Sequence, residues 1–177
     1  MEILKSIIER RSIRKYLDKP VEKEKIELCL EAARLSPSAC NIQPYKFLVL
    51  EGEKKDNFAN EVFCGIYKPC IFAAKAPVII AIISTAKTFK GLIGNQIQDI
   101  NFSLVDMGIA GEHLILQATA LGLGTCWLGW FDKKKANKIL NLKKSENVEL
   151  LISLGYGAEA PRERKKKDRK DFSNFWS

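Results

Sequence analysis

The chain has a single histidine in 177 residues, and its five cysteines include no C-x-x-C pair. Zinc and iron–sulfur centres draw on clustered thiolates and imidazoles, so the usual ligand patterns for either are excluded. Cys29, Cys40, Cys64, Cys70 and Cys126 are an odd set and read as reduced thiols of a cytoplasmic protein. Long apolar runs are also missing. Ala76 to Ser84 is too short to cross a bilayer, and the longer 102–121 stretch carries Asp106, Glu112 and His113, so no membrane partner is expected. The opening MEILKSIIERR interleaves acids and bases and lacks the apolar core and small-residue cleavage site of a signal peptide, so no export is indicated. There is no Walker phosphate loop and no serine nucleophile elbow. A relaxed dinucleotide fingerprint, Gly155-Tyr-Gly157-Ala-Glu-Ala160, is followed by Pro161 and a run of charges where a packed helix is required, which removes it from consideration.

What the chain does have is an apolar content of 46%, enough for the core of one domain spanning 1–177. Its net charge of +8 is concentrated in two places: the Arg10, Arg11, Arg14, Lys15 cluster and a basic tail, 162–177. Residues 162–170 alone hold seven basic side chains against two acidic ones. Apolar residues at helical spacing predict a first helix to about Arg11 and a second from Pro20 to Ser36-Pro37. A strand follows over Tyr45 to Leu50, then a polar helix over Glu53 to Val62. Pro77 to Ser84 is apolar at every position before the serine, as expected for a central strand covered on both faces. Thr85 to Gln98 reads as a mobile loop or lid. Asn101 to Leu121 predicts a long buried helix, followed by a strand in GLGTCWLGW, a helix over 133–140 capped by Asp132, and a strand over Val148 to Leu154. Helices and strands alternate without repeats, which predicts a sheet with helices on both faces.

Three stretches can carry chemistry. In Arg10-Arg11-Ser12-Ile13-Arg14, guanidinium groups at alternate positions of an extended segment project to one side, where each can fork two donors onto phosphate oxygens beside the Ser12 hydroxyl. A solvated basic turn has the same spacing. The loop Ser36-Pro37-Ser38-Ala39-Cys40-Asn41-Ile42-Gln43-Pro44-Tyr45 is stiffened by two prolines and can hold a polar ring edge, or can be an ordinary connection. Gly122 to Gly129 lets backbone N–H groups approach a planar ligand, although a helix cap leading into a core strand explains much of it. Trp127 reads as a packing residue before a stacking one.

Together, in this order, R-R-S-I-R-K-Y at 10–16, S-P-S-A-C-N-I-Q-P-Y at 36–45 and G-L-G-T-C-W-L-G at 122–129 resemble the nitroreductase family of FMN-dependent oxidoreductases. The likeness continues through the Asp106 helix and the L-G-Y-G-A-E-A-P ending. It implies an α+β, nitroreductase-like α/β/α sandwich with a mainly antiparallel central sheet, and a homodimer with FMN at the subunit interface. By this resemblance Arg10, Arg11, Ser12 and Arg14 bind the phosphate, ribityl chain and pyrimidine edge of FMN. Arg14 lies nearest the ring, where its charge stabilises the reduced flavin. Pro37, Ser38, Ala39 and Asn41 of the second subunit line the ring, and Thr125, Trp127, Leu128 and Gly129 pack by its N5 side. Arg164 and Lys166 complete the phosphate grip. NADH or NADPH is the implied donor, with ping-pong transfer to a small oxidant such as a nitroaromatic, quinone or flavin, and no metal is implied. Other readings are nucleic-acid binding by the basic tail with Phe172, Phe175 and Trp176, or a non-catalytic flavin-binding or flavin-fragmenting relative on the same fold.

Overall fold

The computed structural model describes residues 2–85, 100–160 and 163–173. Its elements are α1 (Glu2–Glu9), α2 (Lys23–Arg34), β1 (Tyr45–Glu51), α3 (Gly52–Val62), β2 (Val78–Ser84), α4 (Phe102–Ala120), β3 (Gly124–Leu128), α5 (Lys133–Ile139) and β4 (Asn147–Gly155). Each matches a predicted element in type and order. Asp132 caps α5 as expected, its Oδ1 accepting from the Lys135 N–H at 3.0 Å. Between α3 and β2, where the sequence pattern is weak, the chain makes 3-10 turns from Gly65 to Lys75. The buried Lys55 ammonium pins their end by donating to the Ala74 and Ala76 carbonyls at 2.8 and 3.0 Å. Of the stretch read as a mobile loop or lid, residues 86–98 lie outside the described residues.

The four strands run in the order β1-β2-β4-β3, each pair antiparallel. Val78 through Ile83 are all fully buried in β2. Their side chains alternate between two cores. Val78, Ile80 and Ile82 meet Met107, Ala110 and Leu114 of α4 together with Ile26 and Cys29 of α2, whereas Ile79, Ala81 and Ile83 meet Phe58 and Val62 of α3 and Ala136 of α5. This is the expected α+β sandwich with helices on both faces. An uninterrupted apolar run is commonest in parallel sheets, yet here it occurs in an antiparallel one, because what it records is cover on both faces.

The α4 helix lies close against the sheet at Gly111. A Cβ there would stand 2.1 Å from the Trp127 ring, so only glycine permits the approach. The same helix buries Asp106, Met107, Ala110, Leu114, Ile115 and Ala118 while leaving Leu104 and Val105 about half exposed.

Candidate functional site

The arginine segment is held by main-chain pairing. α1 stops at Glu9, two residues short of the expected Arg11, because the chain there becomes extended and joins the sheet edge. Ser12 pairs in parallel with Thr125 of β3, the Ile13 N–H donates to the Thr125 carbonyl at 2.8 Å, and Tyr16 pairs with Gly157 beyond β4. Gly124 makes room, since a Cβ there would lie 2.7 Å from the Ile13 side chain. The Tyr16 hydroxyl donates to the Ile13 carbonyl at 2.8 Å and lies 2.7 Å from Ser153 Oγ. Burial pushes its pKa upward.

The consequence is a cleft of about 460 Å³ lined by Arg10, Arg11, Ser12, Arg14, Arg164 and Lys166, with Glu159 and Glu163 as its acidic members. The six residues assigned from the amino end and the tail therefore come together, although more than 150 positions separate Arg10 from Arg164. Two guanidiniums are turned back onto α1. Arg11 Nη1 donates to the Ile8 carbonyl at 2.5 Å and to the Arg10 carbonyl at 2.9 Å, and Arg164 Nη2 donates to the carbonyls of Ile7, at 2.9 Å, and Arg10. Cations are favoured at this end of a helix, where carbonyls lack intrahelical partners.

That arrangement leaves positive charge uncompensated. The Nε atoms of Arg11 and Arg164 are buried and unpartnered among the described residues. Arg10 Nε is 3.7 Å from Glu112 Oε1. Burial, then repulsion from Arg11 and Arg10, holds the Arg164 pKa below its ordinary value. A cleft lined by several guanidiniums, the Ser12 hydroxyl and Lys166 suits an anion with several oxygens, and a phosphate monoester meets that description. It also bears on the tail: Arg164 faces inward to α1 rather than outward as a nucleic-acid contact needs.

The proline loop is built differently. Its 3-10 turn, Ala39–Asn41, sits against α4, and Cys40, Asn41 and Gln43 have φ of 51°, 54° and 48°. Left-handed backbone costs a non-glycine residue on the order of 1 kcal/mol, so the loop needs external support. Ser38 Oγ accepts from the Gln43 N–H at 3.1 Å, Gln43 Nε2 donates to Asn41 Oδ1 at 2.8 Å, and the Ala39 N–H donates to Asp106 Oδ1 at 3.0 Å. Pro37, Ser38, Ala39 and Asn41 do not line the arginine cleft of their own chain. On β3, Thr125 and Leu128 are buried and Gly129 is exposed. Trp127 packs on Gly111 and donates from Nε1 to Glu112 Oε2 at 3.3 Å.

The profile of the nitroreductase family matches residues 7–69 and 66–156 of the chain. The chain belongs to the nitroreductase family. Among its relatives, an Archaeoglobus fulgidus protein provisionally named an NADH dehydrogenase/NAD(P)H nitroreductase is 35% identical over 176 residues, covering 97% of this chain and 89% of that protein. An FMN reductase [NAD(P)H] of Bacillus subtilis is 31% identical, covering 93% of this chain and 69% of its own length. A solved FMN-dependent nitroreductase from Clostridium difficile R20291 superposes with a TM-score of 0.72 at 31% identity, covering 95% of this chain and 93% of that one.

Two residues of this nitroreductase-family chain escaped the sequence reading of the site. Glu112 links the cleft to β3, because its carboxylate faces both Arg10 and Trp127. Asp106 supports the proline loop. Their shared signal is a carboxylate inside an otherwise apolar helix, the position at which a charge most needs a reason. Among the described residues no group of histidine, cysteine and carboxylate side chains could hold a metal, and no helix is long and apolar enough to cross a membrane.

Proposed function

We propose that this protein is an FMN-dependent oxidoreductase that passes electrons from NADH or NADPH to a small oxidant, working as a homodimer in the cytoplasm. The observation that carries the reading is the cleft in which Arg10, Arg11, Ser12 and Arg14 meet Arg164 and Lys166 of the tail. Arg10, Arg11, Ser12, Arg164 and Lys166 would hold the FMN phosphate and ribityl chain, and Arg14 would offer a fixed positive charge to the polar edge of the ring. Arg14 is exposed, with its guanidinium 6.0 Å from the Phe72 ring centroid of the 65–75 segment. The β3 side chains Thr125 and Leu128 are committed to the core and the Thr125 carbonyl to the Ile13 N–H, which leaves exposed Gly129, just beyond the strand, to face a ligand.

Bound FMN supplies the redox chemistry, taking a hydride equivalent from reduced nicotinamide and returning electrons to an oxidant. The chain's part is to bind, orient and bias by charge. A second copy of the chain is the fitting partner. Ile7 and Ile8 on α1, Leu35 after α2, and Leu104 and Val105 on α4 are all 45% exposed or more, an apolar surface that a protein surface in water seldom carries unused. Such a copy would bring its Pro37, Ser38, Ala39 and Asn41 to the ring. One ligand face serving donor and acceptor in turn makes the kinetics ping-pong, and a site with few fixed donors tolerates nitroaromatics, quinones and flavins alike.

The test is to add FMN to purified protein, follow the visible flavin bands, and then measure NADH and NADPH oxidation with a nitroaromatic acceptor. Perturbed flavin bands at one equivalent per chain, with parallel double-reciprocal lines, are expected. A folded dimer that leaves the flavin spectrum unchanged overturns the reading, and flavin binding without turnover favours the non-catalytic relative.

A further inference from the structure

Asp106 is only 3% exposed, in a helix whose buried positions are otherwise apolar or glycine. Oδ1 accepts the Ala39 N–H at 3.0 Å, while Oδ2 is buried with no partner among the described residues. A buried carboxylate with one hydrogen bond is a poor source of stability, and an apolar side chain of similar volume often serves a core as well or better. Its one contact, however, is placed where it matters to the loop. The Ala39 N–H opens the 3-10 turn directly before the left-handed residues Cys40 and Asn41, with Gln43 beyond. Ser38 Oγ and the Gln43 amide tie the loop to itself, but Asp106 is the side chain that ties it to α4.

We propose that Asp106 is the positioning residue of the proline loop: through the Ala39 N–H it holds the left-handed backbone that presents Ser38, Ala39 and Asn41 to the flavin. The inference rests on the FMN reading above. Asp106 is behind the loop and acts through it. This buried polar side chain is therefore kept for geometry, with the core bearing the cost.

Two substitutions separate this from a packing role. Asp106→Leu keeps the branching at Cγ, with two bulkier methyls in place of the oxygens, and removes the acceptor, whereas Asp106→Asn retains an oxygen that can accept from Ala39. The readouts are the melting temperature of the flavin-free protein, FMN affinity by flavin fluorescence, and the visible circular dichroism of bound FMN. Asp106→Leu should bind FMN at least about tenfold more weakly and change the dichroism, a loss larger than any fall in its melting temperature accounts for. Asp106→Asn should stay within about threefold and keep the wild-type dichroism.

Ala39→Pro reads the same contact from the other end, because it deletes the N–H where the preceding Ser38 is already extended (φ −141°, ψ 156°), a conformation that proline accepts. It should lose FMN affinity like Asp106→Leu, and the double variant should be no worse than either alone. This variant stands in if Asp106→Leu does not fold. Wild-type affinity and dichroism in Asp106→Leu or Ala39→Pro, or losses that track melting temperature in every variant, overturn the proposal. Failure of the wild-type protein to bind FMN at all overturns the functional reading instead, before any variant is compared.

Discussion

Replacing Gly111 by alanine sets two opposing effects against each other at the contact between α4 and β3. Alanine favours a helix interior over glycine by about 1 kcal/mol. Against that, the new Cβ would lie 2.1 and 2.8 Å from two atoms of the Trp127 ring and 3.1 Å from Ile82 Cδ1. Ile82 is fully buried and has nowhere to go. Trp127 is half-buried and can yield only by moving its rigid ring, which breaks the 3.3 Å bond from Nε1 to Glu112. Overpacking of this kind costs about 1–3 kcal/mol, and the lost hydrogen bond about 1 kcal/mol more. The net is a loss of about 2 kcal/mol, which in a domain of this size lowers the melting temperature by about 4–8 °C. The assay is a thermal melt of flavin-free protein at fixed concentration, followed by far-ultraviolet circular dichroism. Glu112 also faces Arg10, so FMN affinity should fall in the same variant. An unchanged or raised melting temperature would mean that helix propensity prevails, and the packing of Trp127 on Gly111 would be refuted.

Other changes act on single contacts. Arg14→Ala should weaken FMN binding by about tenfold or more while leaving the flavin-free fold intact, measured by fluorescence titration, because the side chain lines the cleft yet lies outside the core. Asp132→Ala removes the cap of α5 and should destabilise by about 1 kcal/mol, a drop in melting temperature of about 2–4 °C. The Tyr156 hydroxyl, bonded to Glu22, holds that carboxyl at about 2, below the ordinary carboxylate range. A depressed pKa favours the fold above the ordinary carboxylate pKa, and the contribution disappears as pH falls toward about 2. Glu22→Gln should therefore melt below wild type at neutral pH, with the gap closing between about pH 5 and pH 2.

The sheet and its helices were legible because burial imposes periodicity: Val78 to Ile83 announce a doubly covered strand, and Asp132 before 133–140 announces a cap. The 65–75 segment was not legible, since 3-10 turns around Pro69 have neither a helical nor an alternating apolar pattern. Spacing and family likeness singled out the arginine segment, and the structure adds the reason for its shape, namely the pairing of Ser12 with Thr125. What spacing could not reveal is long-range partnership. Arg164 on α1, Glu112 between Arg10 and Trp127, and Asp106 behind Ala39 each depend on which elements meet in space. The two outer-facing apolar patches on α1 and α4 likewise read as amphipathic helix faces until the sheet side is known to be already filled.

The central claim is that the convergent guanidiniums grip a phosphate, and FMN and riboflavin differ by that group alone. Equilibrium titration of the flavin-free protein with each, at low and high salt, therefore tests it most directly. FMN should bind at least about a hundredfold more tightly than riboflavin, with the advantage shrinking as salt rises. Equal affinities for the two flavins would contradict the account.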